Sequence, residues 1–442
     1  MNPRSMTRLY GNAFGFNTDR RVKPVHFATG FFVALLGRQY EQQILNKTVA
    51  FSQTKTLEGD YSLSNLRNLL LREERISSDI DLSALHALRK QLRCLANNDD
   101  AVYPAYTGKA GFGCDYSTAS ADVLTKNKDN DGFSGLFVFS VLDQTPNGQA
   151  ILGIARGWLG QKDTTWRSVV EPLLEGEAID EDSVGRYENK GLGELTAKRL
   201  KRIAKLMAVQ TEAVLTLCTN AEELMASETK LRVLIIGLCL WLFRYLVLEG
   251  FEKPHLAGIA LVDMTGDSSS KMRSQSRWSF SRVREGLIEA FERFESTGRF
   301  ADCEDAWKHV ETKLAGRPKF EEFYRELGLR SGLAQPRSSR IAAKHFELQP
   351  ETARVVVMST LKVQEGLISF TSLLDRIFNT WGLCFGGRPN DGPILTGLGY
   401  TGLDQDQDLT PNAEALTSLL SDLGLATRFS DGLVMCHAKD EF

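Results

Sequence analysis

Asp263 and Asp267 stand four residues apart in LVDMTGDSSSKM, at the end of the apolar run HLAGIALVDM (255–264). An acid that closes a β-like run and opens a Gly/Ser loop sits where α/β proteins place ligands or metals. Two such carboxylates can hold Mg²⁺, while Ser268, Ser269 and Ser270 offer hydroxyls and backbone N–H groups to a phosphate. With Lys271 alongside, the group loosely mimics the acids and lysine of a restriction-type nuclease, although the acid–x–Lys triplet is absent. A capped turn uses the same residue types. A metal-dependent nuclease acting through Asp263 and Asp267 therefore stands as an alternative reading rather than the leading one.

The segment that follows is the strongest charge anomaly in the chain. SSSKMRSQSRWSFSRVR (268–284) carries Lys271, Arg273, Arg277, Arg282 and Arg284 with no acid among them, and sets Trp278 and Phe280 between the bases. Arginines grip phosphates bidentately, and rings stack on bases or on guanidinium planes. Five neutralised phosphates give a salt slope of about −4 to −5 on duplex DNA. A solvated surface, or a patch that meets an acidic partner, uses the same pattern. A second basic cluster, KRLKRIAK (198–205), reads as the outer face of a helix.

Arg340 to Leu361 reads as two helices joined by a tight turn: RIAAKHF, then the break ELQP, then PETARVVVMSTL with Pro350 at its first position. That is the outline of a helix-turn-helix, whose second helix often lies in a DNA groove. Arg337, Arg340, Lys344 and Arg354 supply bases around it. The run VVVM belongs in a core, so the unit serves structure or dimerisation as readily as DNA.

No complete catalytic motif appears. GxxxxGK[ST] and G-x-S-x-G are missing, the six histidines show no HxH or i, i+4 pair, and the seven cysteines form no CxxC. The chain reads as non-catalytic, with no cofactor and no local zinc site. Unpaired, scattered cysteines fit a reducing cytoplasm.

The elements that position these residues follow from apolar spacing. A helical N-terminal region spans 1–100, with an irregular basic-aromatic start to Pro24 and helix candidates over 26–45, 63–74 and 82–95. A mixed α/β central domain spans 101–335. In it GLFVFSVLD and AILGIARGWL, joined by TPNG, predict an antiparallel hairpin. Helices are expected over 194–224, 228–248, 283–294, 302–315 and 320–327. Leu231–Leu248 is apolar, but its uninterrupted core is about half the roughly 20 residues a bilayer crossing needs, so it reads as a buried core helix and not a membrane span. After a linker at 332–340 comes a winged-helix-like C-terminal domain, 336–442. Its signals are a helix from Asp408 or Thr410 to Leu423, Gly424 as a left-handed cap, and strand–turn–strand in ATRFSDGLVMCHA. The fold class is α+β and predominantly helical. At 442 residues with a formal net charge of −3, the chain is no global polycation, and any nucleic-acid contact must be local.

GGRPNDG…LTPNAEALTSLLSDLGLATRFSDGLVM, with Asn412, Leu420, Gly424 and the SDG turn at 430–432, resembles the tails of accessory proteins from bacterial antiphage defence gene clusters. Those proteins accompany translocase- or helicase-type ATPases, as in phosphorothioation-dependent restriction. The resemblance covers about the last sixth of the chain. It implies a non-catalytic subunit of a complex acting on double-stranded DNA, with other protein subunits as partners. A structural scaffold without DNA contact is the third reading.

Overall fold

The computed structural model describes residues 14–16, 27–28, 31, 34–35, 133–159, 196–250, 258–296, 320–336 and 343–439. Among them the protein is predominantly helical. The helices are α1 (Phe133–Leu142), α2 (Pro146–Leu159), α3 (Ala197–Leu206), α4 (Ala208–Leu224), α5 (Ser227–Gly250), α6 (Lys271–Ser296), α7 (Phe320–Arg330), α8 (Pro350–Thr360), α9 (Phe370–Trp381), α10 (Asp391–Gly397) and α11 (Thr410–Asp422). The strands are short: β1 (Ala260–Leu261), β2 (Ala334–Gln335), β3 (His345–Phe346), β4 (Ile368–Ser369), β5 (Leu383–Cys384), β6 (Ala426–Arg428) and β7 (Val434–Cys436). The helix candidates at 63–74, 82–95 and 302–315 lie outside the described residues, as do Arg337 and Arg340.

Helix α5 is the axis of the molecule. Its span Thr229–Gly250 is long and apolar enough to cross a membrane, but 83% of the apolar window is buried inside the protein. Helices α2, α4, α6, α7 and α8 pack around it. Trp241 and Tyr245 stack in its middle, with Phe137 of α1 tilted against both. Burying one side chain of this size stabilises by about 1.5–3 kcal/mol, which is why a helix apolar on every side belongs at the centre. Phe16 packs on Phe137 and Phe323 at 4.8 and 5.4 Å. The aromatic start is thus pinned, where described, to its own core.

The strands form three small sheets. β1 pairs with β5 in parallel, Ala260 opposite Leu383 and Leu261 opposite Cys384. β2 and β3 are antiparallel, and a bridge from Val262 to Phe346 ties β1 to that pair. The third sheet has the order β4-β7-β6, all antiparallel.

Several expectations are corrected. The predicted hairpin at 135–159 is the helix pair α1–α2. The first helix of the expected helix-turn-helix is absent where described, because His345–Phe346 is strand β3, hydrogen-bonded to Ala334–Gln335. The helix expected over 194–224 breaks at Met207 into α3 and α4. Between α8 and α9 lie a 3₁₀ turn (Val363–Glu365) and β4, and β5 and α10 follow Trp381. The C-terminal expectations hold: α11 has Pro near its first turn, Gly424 is left-handed at φ 68°, and the two strands follow.

Candidate functional site

Asp263 ends the β1 segment and is fully buried. Its Oδ1 accepts from the Thr265 backbone N–H at 2.9 Å and the Thr265 hydroxyl at 2.7 Å. Its Oδ2 accepts from Arg273 Nε. Arg273 donates its other end to Glu347 at 3.3 Å. Glu347 also meets His345 Nε2 at 3.0 Å, while His345 Nδ1 faces the Ala343 carbonyl at 3.2 Å. The four side chains form one hydrogen-bonded chain, Asp263–Arg273–Glu347–His345, with Arg273 ion-paired to both carboxylates, that fastens α6 to the ends of β1 and β3. Ser276 completes the seam, with its Oγ 3.0 Å from the Phe346 carbonyl and 2.9 Å from its N–H.

Asp267 has a different task. It is exposed and accepts from the Ser269 N–H at 2.8 Å and hydroxyl at 2.7 Å, bonds that hold its carboxyl below the usual range. Ser270 Oγ accepts from the Arg273 N–H at 3.0 Å, satisfying one of the free donors at the start of α6. Ser269 and Ser270, two of the three serines expected to offer groups to phosphate, are thus spent on the turn and the cap. Among the described residues, no three His, Cys, Asp or Glu side chains gather as a metal site requires. The four described cysteines are buried thiols, and burial pushes those of Cys218, Cys384 and Cys436 upward, away from the thiolate a nucleophile needs.

The basic segment forms the first half of α6, and the helix distributes its charges around the axis. Arg273 points into the ion chain above. Arg282 lies over the Trp278 ring at 5.1 Å and donates to the Leu398 carbonyl. Trp278 meets Tyr400 edge-on at 4.8 Å. This pair clasps the end of α10 and leaves Trp278 about two-fifths exposed. Arg277 is half-buried, and its Nε has no protein partner. Arg284 is half-buried with its Nε enclosed. Phe280 is core. Lys271 is exposed and ion-paired with Asp408 at 3.8 Å. The five cations therefore do not form one face.

Of the other bases, Arg354 is half-buried on α8. It lines a groove of about 580 Å³ together with Leu224, Met225, Met358, Leu423 and Lys439. Lys344 is buried and donates to the Pro336 carbonyl. Burial, helped by the nearby Arg325 cation, lowers its pKa from 10.5 to about 8. The unfolded chain thus binds more protons than the native one between pH 8 and 10.5. Stability is expected to rise with pH across that window, while the penalty is fully present below pH 8. Lys344→Met should flatten this rise in urea unfolding followed from pH 7 to 10.5. An unchanged profile would mean the lysine is not the source.

Two features escaped sequence reasoning. Asn412 at the start of α11 is fully buried and makes three bonds: to the Val262 carbonyl at 2.8 Å, the Phe385 carbonyl at 2.9 Å and the Met264 N–H at 2.6 Å. It locks α11 across the ends of β1 and β5. Arg388 folds onto Asp391 at 2.8 Å through Nε and stacks on Phe378 at 3.5 Å, a buried pair within the GGRPNDG loop. The sequence signal for the ion chain was available in His-Phe-Glu. On a strand, residues i and i+2 share a face, which brings His345 and Glu347 together.

Comparison with protein-family models, with curated protein sequences and with solved structures gives no match.

Proposed function

We propose that this chain is a non-catalytic assembly subunit of a bacterial antiphage defence complex that acts on DNA, and that its C-terminal module docks another protein subunit. The order of α8, β4, α9, α11, β6 and β7, with β4 beside β7, supports reading the module as a winged helix interrupted by residues 382–409. In that reading α11 is the helix that would enter a DNA groove. Its outward residues are Glu414, Ser418, Ser421 and Asp422, which bring acid and no base to the phosphates. The module suits a protein better than a duplex.

One observation carries the docking reading. Five large hydrophobic residues are exposed among the described residues, and three of them, Leu367, Phe429 and Leu433, sit immediately beside the ends of β4, β6 and β7. Ile368, Cys436 and Ala426 are cross-strand partners on the core side. The two-residue period puts Ser369, Met435 and Thr427 on the opposite face; Phe429 and Leu433, joined by the Phe429 N–H to the Leu433 carbonyl at 2.9 Å, extend it at the hairpin end, and Leu367 precedes β4 at the other end. Three half-exposed side chains fall far short of the roughly 800 Å² per partner of a stable interface. The face therefore fits a short apolar segment of a larger partner, within a complex held at more than one place. The commitment of Asp263 to Arg273 and the scattering of the bases on α6 support an assembly role over nuclease chemistry.

The test is copurification from the native host with the wild-type chain and with Phe429→Asp/Leu433→Asp. The wild type should bring down a translocase- or helicase-type ATPase subunit in stoichiometric amount, and the variant should lose it at least tenfold while remaining folded. Equal recovery of that subunit, or its absence from both, overturns the proposal.

A further inference from the structure

The cluster KRLKRIAK, read from sequence as a solvated helix face, is where the structure leaves cations free. Helix α3 starts at an N-cap in which Thr196 Oγ1 accepts from the Arg199 N–H at 3.2 Å. Its apolar side is spent. Ile203 and Ala204 are buried, and the partly buried Leu200 and Leu206 pack on the main core. Arg199 turns toward the Tyr245 hydroxyl on α5. At about 100° per residue, Lys198, Lys201, Arg202 and Lys205 fall within one arc of about 100° on the opposite side. Arg202 is held by Glu249 at 2.5 and 3.3 Å. Lys198, Lys201 and Lys205 are exposed, and among the described residues none has an acidic partner. The helix itself carries no acid.

From this arrangement we infer that the outer face of α3 is a contact for the phosphate backbone of double-stranded nucleic acid, made without reading bases. Lys198 and Lys205 are about 10 Å apart along the helix axis, a distance over which a duplex presents about six phosphate charges. Such a row of fixed anions with condensed counterions rewards three free ammonium groups by counterion release. Lysines are compact point charges, so this contact positions the duplex and specifies no sequence. An anionic membrane fits the face poorly. A helix that lies in a bilayer surface must offer its apolar side to lipid, and the apolar side of α3 is already in the core. The inference is independent of the docking reading, since it uses other residues on another element.

The test is fluorescence anisotropy of a labelled 24-base-pair duplex of mixed sequence with the full chain, titrated between 50 and 200 mM salt. Three to four phosphate contacts predict a slope of log affinity on log salt of about −2.7 to −3.6, a loss of about 40- to 150-fold across that range. Lys198→Gln/Lys201→Gln/Lys205→Gln should make the slope shallower by about 2.7 and lower affinity at least tenfold at 100 mM. Its melting curve should match wild type, because the three side chains are exposed. Lys271→Gln should change neither slope nor affinity. No binding at 50 mM salt, an unchanged slope in the triple variant, or an equal effect of Lys271→Gln overturns the inference. So does binding of polyglutamate or phosphatidylserine vesicles at these lysines in place of the duplex.

Discussion

Asp263→Ala should destabilise the protein by about 3–5 kcal/mol, the cost of leaving one member of a buried ion pair without its counter-charge. The carboxylate is fully buried and holds three donors: the Thr265 N–H, the Thr265 hydroxyl and Arg273 Nε. Removing it strands the guanidinium of Arg273 on the α6–β1 seam, with only the long bond to Glu347 remaining. Replacing both partners, as Asp263→Leu/Arg273→Met, should recover much of the loss, because an apolar pair of similar volume needs no counter-charge. Urea unfolding of the wild type, the single variant and the double variant measures this directly. A single variant as stable as wild type would show that the pair is not structural and would return Asp263 to the list of candidate catalytic acids. Incubation of plasmid with Mg²⁺ and the wild-type chain completes the comparison: cleavage that disappears in Asp263→Asn would establish the nuclease reading.

Asn412→Ala should cost about 3 kcal/mol or more. Three buried backbone groups, the carbonyls of Val262 and Phe385 and the N–H of Met264, lose their partner at once, at about 1–3 kcal/mol each before relaxation. Asn412→Asp is the informative companion. It can still accept from Met264 but aims a carboxylate at two carbonyl oxygens, so it should be at least as damaging as alanine. Thermal melts of both variants decide the matter. If the aspartate variant were near wild type, the side-chain amide could not be the donor that joins β1, β5 and α11.

The sequence was legible where the signal is local. Pro411, Gly424 and the Asp431–Gly432 turn each demand a particular backbone, and α11 and the β6–β7 hairpin appear where those residues predict them. The apolar run of α5 was legible because only burial accommodates it. Legibility failed where burial is all-round. Phe133–Leu142 is apolar on every side, so it has no helical period to read, and β-type residues suggested strands instead. Gly148 appeared to mark a hairpin turn. It is in fact a helical position where an added Cβ would fall 2.0 Å from the Leu142 carbonyl, so its lack of a side chain lets α2 cross α1 closely. The candidate site failed for a related reason. Counting bases between 268 and 284 gives charge but not partners, and the groups that occupy Arg273 and Arg282, Glu347 and the Leu398 carbonyl, are 74 and 116 residues away. The lysines of α3 were passed over because an outer helix face is ordinarily charged. What distinguishes them is that, among the described residues, no acid comes to meet them, a fact that only the fold supplies.

The docking claim is tested most directly by placing a photo-crosslinking amino acid at Leu433 and irradiating cells of the native host. Crosslinking of the chain to one defence-complex protein in high yield, abolished by Phe429→Asp in the same chain and absent when the probe is moved to Ser418, is the expected result. Equal crosslinking from Leu433 and Ser418, or none from Leu433 while the complex is intact, would contradict it.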